Sequence, residues 1–216
     1  MHFFLLALWC FCMAFFPAYL GHNPQLAWIG WLTTIVFALS TFVPFIKEHT
    51  KQWIIALLTL SIFGYAIESI GVLSCFPYGC FAYSEQLGEK LFWLVPYLLI
   101  FTRPPLVIGV WSWLRTKSYT GRQLCLLGGV CLLGIDLILD PIAVRMGMRS
   151  FTQTGRWFGI PWTNFAGWVL SGTVWVAILE YFLTQEQIQK AYLTGLFLFM
   201  SFFVSRMLWK ILFMYF

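Results

Sequence analysis

The sequence predicts an all-α, polytopic membrane protein, a single domain over residues 1–216 in which about seven helices form a bundle. Hydrophobic residues make up 61% of the chain and charged residues only 10%, a balance that would make a soluble protein aggregate. The apolar residues fall into runs of about 20, the length that an α-helix needs to cross the hydrocarbon core. Short polar segments separate these runs.

Seven runs are long enough to be spans, with cores at residues 2–20, 26–46, 52–75, 91–114, 123–145, 163–184 and 191–213. We expect residues 2–20 to be the first span, because they lack the basic leader and small-residue cleavage site of a signal peptide. The fourth run contains Arg103-Pro104-Pro105. Since proline removes a backbone donor and clashes with the preceding turn, we expect this helix to kink or break there.

The distribution of lysine and arginine among the loops predicts the orientation in the membrane. Loops 47–51, 115–122 and 184–190 share a side with the N-terminus and carry more of these residues than the opposite side. By the positive-inside rule the N-terminus is cytoplasmic, and loops 76–90 and 146–162 lie together outside. Basic residues that flank the membrane account for the net charge of +5, which therefore gives no reason to expect a nucleic acid partner. We expect the protein to lie in the lipid bilayer of a bacterial cytoplasmic membrane.

Three acidic residues are expected at membrane depth. Asp136 and Asp140 lie four residues apart in the fifth run, which places them on one face of a helix, and Glu68 lies in the third run. Pro141 disfavours helical geometry at Asp140. Placing an acid in lipid costs about 3 kcal/mol on insertion scales. Because the chain keeps three such acids despite this cost, we interpret them as functional residues. Alternatively, they satisfy backbone groups or pair with a buried arginine.

Arg103 is the candidate counter-ion for one of these acids, although it could instead be a helix-end arginine that reaches the interface. Loops 76–90 and 146–162 adjoin the spans that carry the acids. We therefore expect acids and loops to converge on an active site between helices, with a lid. Glu180 lies near the opposite membrane face and is interpreted as an interfacial residue.

The cysteine and histidine patterns predict no metal site. The three histidines lie near predicted interfaces, and no Cys/His spacing typical of zinc occurs. Cys75 and Cys80 flank a turn and could form a disulfide if that loop faces an oxidising compartment. The other cysteines are interpreted as small apolar residues.

Two motifs occur in order within residues 65–175. The first comprises Glu68-Ser-Ile-Gly71, Phe76-Pro77-Tyr78-Gly79, Tyr83, Leu87-Gly88 and Val95-Pro96. The second comprises Asp136-Leu-Ile-Leu-Asp140-Pro141, Arg145, Gly155, Gly159-Ile-Pro161, Asn164-Phe165 and Gly167-Trp168. Together they resemble the signatures of the bacterial and archaeal carotenoid biosynthesis proteins of the carotenoid-hydratase type, and they cover about half of the chain.

The resemblance implies a lyase that adds water across the terminal double bond of an acyclic carotenoid end group, without a redox cofactor. Its substrate would be an apolar carotenoid or terpenoid, and its protein partners a second copy of itself or other enzymes of the pathway. Some positions depart from the family pattern and affect the expected substrate more than the reaction. The family usually has glycine at Cys75, a basic residue at Cys80, tyrosines at Phe81 and Trp157-Phe158, and an aromatic residue at Met148-Arg149.

Acid-catalysed hydration of an alkene needs a proton donor, followed by capture of the carbocation by water. Burial and a neighbouring carboxylate keep a carboxylic acid protonated at neutral pH, which makes Asp136, Asp140 and Glu68 the candidate catalytic residues. We expect Asp140 to donate the proton, because Pro141 frees its backbone from the helix. Gly128, Gly129 and Gly134 are expected to let helices approach or to leave a groove that opens to lipid and ends near Asp140.

Aromatic faces stabilise a carbocation, and a side-chain amide can orient water. The candidate substrate-binding residues are Tyr78, Tyr83, Arg103, Arg145, Trp157, Trp162 and Asn164. Each aromatic residue could instead belong to an interfacial belt, and Asn164 could cap a helix.

Other functions remain consistent with the same residues. The DxxxD spacing could hold Mg²⁺ in a transferase that handles prenyl diphosphates. The acids could form a proton relay or pack a transporter or a non-catalytic subunit. A carotenoid cyclase would share the carbocation and differ in what captures it.

Overall fold

The computed structural model describes residues 51–145 and 147–183. Its helices are α1 (Lys51–Ser74), α2 (Leu98–Thr116), α3 (Gly121–Arg145) and α4 (Trp162–Phe182). Its short strands are β1 (Phe81–Tyr83), β2 (Lys90–Leu91), β3 (Val95–Pro96) and β4 (Arg149–Phe151), with one 3₁₀ turn at Glu85–Leu87. The predicted spans at 2–20, 26–46 and 191–213 lie outside the described residues.

Helices α1, α3 and α4 are long and apolar enough to cross a membrane, with 24, 25 and 21 residues. Their bounds agree closely with the predicted spans 52–75, 123–145 and 163–184. Helix α1 shows how such a span is organised, since small or polar residues such as Gly64 and Glu68 face the core. Its outward side carries exposed apolar residues, among them Leu58, Ile62 and Leu73, which suits contact with lipid.

Helix α2 differs from the fourth predicted span. It begins at Leu98 and not near residue 91, because residues 90–96 form the antiparallel β2–β3 hairpin. Of the kink or break predicted at Pro104-Pro105, the break does not occur, since α2 continues through both prolines. Pro104 cannot donate to the carbonyl of Ile100, one turn earlier. The hydroxyl of Ser61 on α1 donates to this carbonyl instead, at 3.4 Å.

Helix α3 likewise continues through Asp140 and Pro141 to Arg145, so the expectation that Asp140 departs from the helix is wrong. The carbonyl that Pro141 cannot reach belongs to Leu137. The indole N–H of Trp157, in the segment after α3, donates to that carbonyl at 3.4 Å. A side chain from a neighbouring segment thus replaces the missing donor at Pro104 and at Pro141.

Glycines bring α3 and α4 into close contact. A Cβ atom on Gly128 would lie 2.6 Å from Val176 Cγ2, and one on Gly129 would lie 2.5 Å from Thr173 Oγ1. Of the two predicted alternatives, close approach of helices therefore holds at Gly128 and Gly129, because the two helices touch at these positions. Gly134 differs from them, since no atom lies within 4 Å of its Cβ position.

The two loops at one end of the bundle pair with each other. Strands β1 and β4 are antiparallel, with Phe81 opposite Phe151 and Tyr83 opposite Arg149. This pairing confirms that the loops after α1 and α3 meet on one side, whereas their orientation relative to the cytoplasm stays a prediction. A disulfide between Cys75 and Cys80 closes the turn that leads into β1.

At the opposite end, Glu180 of α4 joins three segments. It accepts hydrogen bonds from Trp111 Nε1 at 3.1 Å, Arg115 Nη1 at 3.2 Å and the backbone N–H of Gly121 at 3.3 Å. The carboxylate therefore connects α4 to the turn between α2 and α3.

Candidate functional site

The three predicted acids are buried on the side of the bundle where β1 and β4 lie. Glu68, Asp136 and Asp140 are 1%, 0% and 5% exposed. A continuous set of polar and aromatic contacts joins them, running from α1 across β1 and β4 to α3 and α4. Each acid has a different set of partners, and this difference distinguishes their chemistry.

Glu68 is held by one hydrogen bond and one ion pair. The hydroxyl of Tyr83 donates to its Oε2 at 2.7 Å, and Arg103 of α2 pairs with its Oε1. The prediction that Arg103 is the counter-ion of an acid is confirmed. The guanidinium also stacks on α4, with its carbon 4.3 Å from the ring centre of Trp168, so Arg103 is not a helix-end arginine that reaches the interface.

Asp140 is paired with Arg149 of β4. One nitrogen, Nη1, donates to Asp140 Oδ1 at 2.9 Å and to Oδ2 at 2.8 Å, and both side chains are buried. The candidate residues from the sequence do not include Arg149. The available signal was the charge balance at membrane depth, because three acids with Arg103 alone require a second buried cation.

Four aromatic rings surround the Arg149 guanidinium. Its carbon lies 4.0, 4.7, 5.6 and 6.0 Å from the ring centres of Phe81, Phe151, Tyr83 and Tyr78. Tyr78 and Tyr83, expected at a substrate cation, therefore enclose a cation of the protein itself. Both rings are buried, with Tyr78 packed edge-on to Phe81.

Electrostatics keep these loop groups in fixed protonation states. Burial and the nearby charge of Glu68 raise the pKa of Tyr83 well above its ordinary value. Burial lowers the pKa of Arg149 and the charge of Asp140 raises it, with an upward net shift. Tyr83 therefore stays neutral and Arg149 stays charged at ordinary pH.

Asp136 is connected to Asp140 through Asn164. The Nδ2 of Asn164 donates to Asp136 Oδ2 at 2.9 Å and to Asp140 Oδ2 at 2.8 Å. The helix-cap alternative for Asn164 does not hold, since Pro161 occupies the N-cap position of α4. Asp136 forms no ion pair within the described part of the chain. In that part, Asp136 Oδ1 and Asn164 Oδ1 are also buried without a hydrogen-bond partner.

The remaining predicted residues lie at the surface on this side of the protein. Arg145 ends α3 and is exposed, and so are Trp157 and Trp162. The indole of Trp157 is engaged with the Leu137 carbonyl. Among residues 51–145 and 147–183, no three His, Cys, Asp or Glu side chains are grouped so as to hold a metal ion.

Comparison with known proteins gives a family match. A family model described as carotenoid biosynthesis protein matches residues 29–216. Bisanhydrobacterioruberin hydratase of Haloarcula japonica is 33% identical over 171 residues, which are 76% of this chain and 56% of that protein. The matched region thus spans little more than half of that relative. No solved structure matches this chain.

Proposed function

Because this chain belongs to the carotenoid biosynthesis protein family, we propose that it is a membrane enzyme that hydrates the terminal double bond of an acyclic carotenoid end group. The name of the relative from Haloarcula japonica supports hydration as the reaction. The observation that carries the proposal is that, within residues 51–145 and 147–183, Asp136 is buried without a cation beside an aspartate that has one.

Charge balance assigns the proton. Glu68 pairs with Arg103 and Asp140 pairs with Arg149, so each of these two acids has a cation beside it. An unpaired buried charge costs several kcal/mol, so a carboxylic acid in such a place takes up a proton instead. Asp136 is the acid in this position, and we assign it as the proton donor in place of Asp140.

Asn164 supports the same assignment. Its Nδ2 donates to Asp136 Oδ2, while the second oxygen of each side chain lacks a partner in the described residues. An ionised carboxylate can only accept hydrogen bonds, so the buried Oδ1 of a charged Asp136 stays unsatisfied in this part of the chain. A proton on Asp136 removes the charge from this incompletely satisfied group, while its Oδ2 still accepts from the Asn164 amide.

The reaction follows from this assignment. Asp136 transfers its proton to the less substituted carbon of the terminal double bond, which leaves a tertiary carbocation. The carboxylate formed at Asp136 attracts this cation, and water adds to it. The added water returns a proton to Asp136, so the acid is regenerated and no electrons are exchanged. Since Asp136 is fully buried, neighbouring side chains have to move before an end group can reach it.

The proposal also covers the setting of the enzyme. It is a cofactor-independent lyase with seven spans in a bacterial cytoplasmic membrane. Its N-terminus is cytoplasmic, and its protein partners are a second copy of itself or other enzymes of the pathway. Labelling of single cysteines at positions 47 and 153 tests the orientation. The two sites should react from opposite sides, and reaction from the same side contradicts the proposed topology.

Pigment analysis in a host that accumulates an acyclic carotenoid tests the activity. The expected product contains one added water, and growth in heavy-oxygen water should place the label in its hydroxyl group. Asp136→Asn should lower the yield per unit of membrane protein by about 10²- to 10⁴-fold, the usual contribution of a general acid. Arg156→Gln, at an exposed position in the loop that follows α3, is the control. A cyclised product without added water would overturn hydration, and near-normal turnover in Asp136→Asn would overturn the proton donor.

A further inference from the structure

We propose that the tip of the β2–β3 hairpin, Leu91-Phe92-Trp93, is inserted among the acyl chains of the bilayer and forms the entrance through which an apolar substrate passes to the buried acids. The role as an entrance rests on the proposed function, whereas the insertion into lipid does not. Four observations carry this inference: the depth of the hairpin along α1, its buried root, its backbone conformation and its connection to α2.

The depth follows from a hydrogen bond. The hydroxyl of Tyr65 donates to the carbonyl of Leu91 at 2.6 Å, which fixes the hairpin against α1. Tyr65 precedes Ser74, the last residue of α1, by about 13 Å along the helix axis. Because α1 is long enough to cross a membrane of about 30 Å, the hairpin lies beside the helix at hydrocarbon depth and not above its end.

The hairpin is buried at its root and exposed at its tip. Val95 and Pro96 are buried, whereas Phe92 is 69% and Trp93 is 90% exposed. Leu58 and Ile62, which are exposed, precede Tyr65 by seven and three residues and so lie on the same face of α1 as Tyr65. A non-helical backbone in lipid needs its polar groups satisfied. The Leu91 carbonyl is one polar group of the tip that is satisfied, since it accepts both the Tyr65 hydroxyl and the N–H of Leu94 at 3.1 Å.

The backbone of the tip is unfavourable for the residues that it carries. Phe92 and Trp93 have φ angles of 51° and 59°, in the left-handed region where glycine or asparagine is usual. Bulky residues there cost of order 1 kcal/mol each. In water, two exposed aromatic side chains would offset none of this cost, whereas contact with acyl chains buries their apolar surface.

The hairpin also leads directly to the candidate site. Strand β3 is followed by α2, whose Arg103 pairs with Glu68, one turn of α1 beyond Tyr65. The tip therefore lies next to the interface between α1 and α2, at about the same depth in the membrane as this ion pair. A polyene dissolved in the bilayer would meet Phe92 and Trp93 before it reaches the buried acids.

Lipid insertion is tested with the full chain in phosphatidylcholine nanodiscs. The cysteines at 10, 12, 125 and 131 are replaced by alanine, and an environment-sensitive fluorophore is attached to Trp93→Cys or to Gln153→Cys, an exposed position in the other loop. Acyl-chain nitroxide lipids should quench the probe at 93, and aqueous iodide should quench the probe at 153. Quenching at 93 by iodide, or protection of that probe from both quenchers, would overturn the proposal.

The entrance is tested with Phe92→Gly/Trp93→Gly, because glycine accepts the left-handed backbone and removes only the aromatic tip. The bilayer concentration of substrate that gives half-maximal turnover should rise several-fold, with kcat unchanged. The matched control is Leu73→Gly, which removes an exposed apolar side chain near the end of α1. An unchanged half-maximal concentration would overturn the entrance. Absence of hydration by the wild type would instead overturn the proposed function and leave the quenching result standing.

Discussion

Arg149 uses a single nitrogen to contact both carboxylate oxygens of Asp140, at 2.9 and 2.8 Å. The guanidinium comes from a strand of three residues, and the carboxylate comes from a long apolar helix. The ion pair therefore connects the β1–β4 pair to α3, and within the described residues it gives Asp140 the cation that Asp136 lacks.

Removing this cation should destabilise the protein strongly. Arg149→Gln leaves the buried carboxyl group of Asp140 with the Asn164 amide but without its cation, and we expect a loss of about 3–5 kcal/mol in unfolding free energy. Asp140→Asn in the same chain removes the uncompensated charge and should recover much of the loss. Denaturant titration in detergent micelles measures both variants, with Arg156→Gln as the exposed control. A double variant no more stable than Arg149→Gln contradicts this account.

Alkaline pH should destabilise the protein through Tyr83. Burial and the charge of Glu68 raise the pKa of this phenol well above the ordinary 10.0. The unfolded chain therefore loses the proton first, so the contribution of Tyr83 to stability is complete below pH 10 and declines above it. Tyr83→Phe should flatten the decline in unfolding free energy between about pH 9 and pH 11.

The matched control for this titration is Tyr181→Phe, because Tyr181 is exposed. It should leave the alkaline decline unchanged. At neutral pH, Tyr83→Phe should also cost about 1.5–3 kcal/mol, since the hydrogen bond that it removes has a charged acceptor. A decline of the same steepness in wild type and Tyr83→Phe would exclude Tyr83 as its source.

The glycines of α3 should respond in opposite directions. An added methyl group at Gly129 meets Thr173 Oγ1 and the Val169 carbonyl oxygen, each at 2.5 Å, so Gly129→Ala should cost about 1–3 kcal/mol. Gly134→Ala adds a methyl group in open space and should stabilise the helix by about 0.5–1 kcal/mol. Thermal unfolding in detergent compares the two variants. Equal destabilisation would show that both positions lie in packed contacts.

Trp157 and Pro141 should be energetically coupled through the Leu137 carbonyl. Trp157→Phe removes the indole donor and should cost about 1 kcal/mol. In the Pro141→Ala background the same change should cost much less, because the alanine N–H can then bond to Leu137. Trp162→Phe, at an exposed position, is the control. If the double-mutant cycle gives no interaction energy, the Trp157 indole does not replace the donor that Pro141 lacks.

Part of this arrangement is readable from the sequence. The lengths of the apolar runs locate α1, α3 and α4, because a span has to match the thickness of the bilayer. The spacing of Asp136 and Asp140 predicts one shared helix face, and both side chains do meet at Asn164. The cost of a charge in lipid likewise predicts a partner for Arg103, which is Glu68.

Other features depend on partners that lie far away in the sequence. Arg149 lies in a loop of polar residues, where an arginine is usually solvated, and only the pairing of β1 with β4 buries it. Residues 91–97 are as apolar as a span, so hydropathy alone does not separate the β2–β3 hairpin from the start of a helix. The prolines at 104 and 141 leave their helices intact because Ser61 and Trp157 supply donors from elsewhere.

The bond between Trp157 and the Leu137 carbonyl has a consequence for biosynthesis. The ribosome completes α3 before it adds Trp157, so the nascent helix enters the membrane with one carbonyl that Pro141 cannot satisfy. Lipid offers no donor to that oxygen, whereas water in the insertion channel does. We therefore expect truncated chains that end between Arg145 and Trp157 to leave the channel more slowly, once they are released from the ribosome, than chains that extend past Trp157.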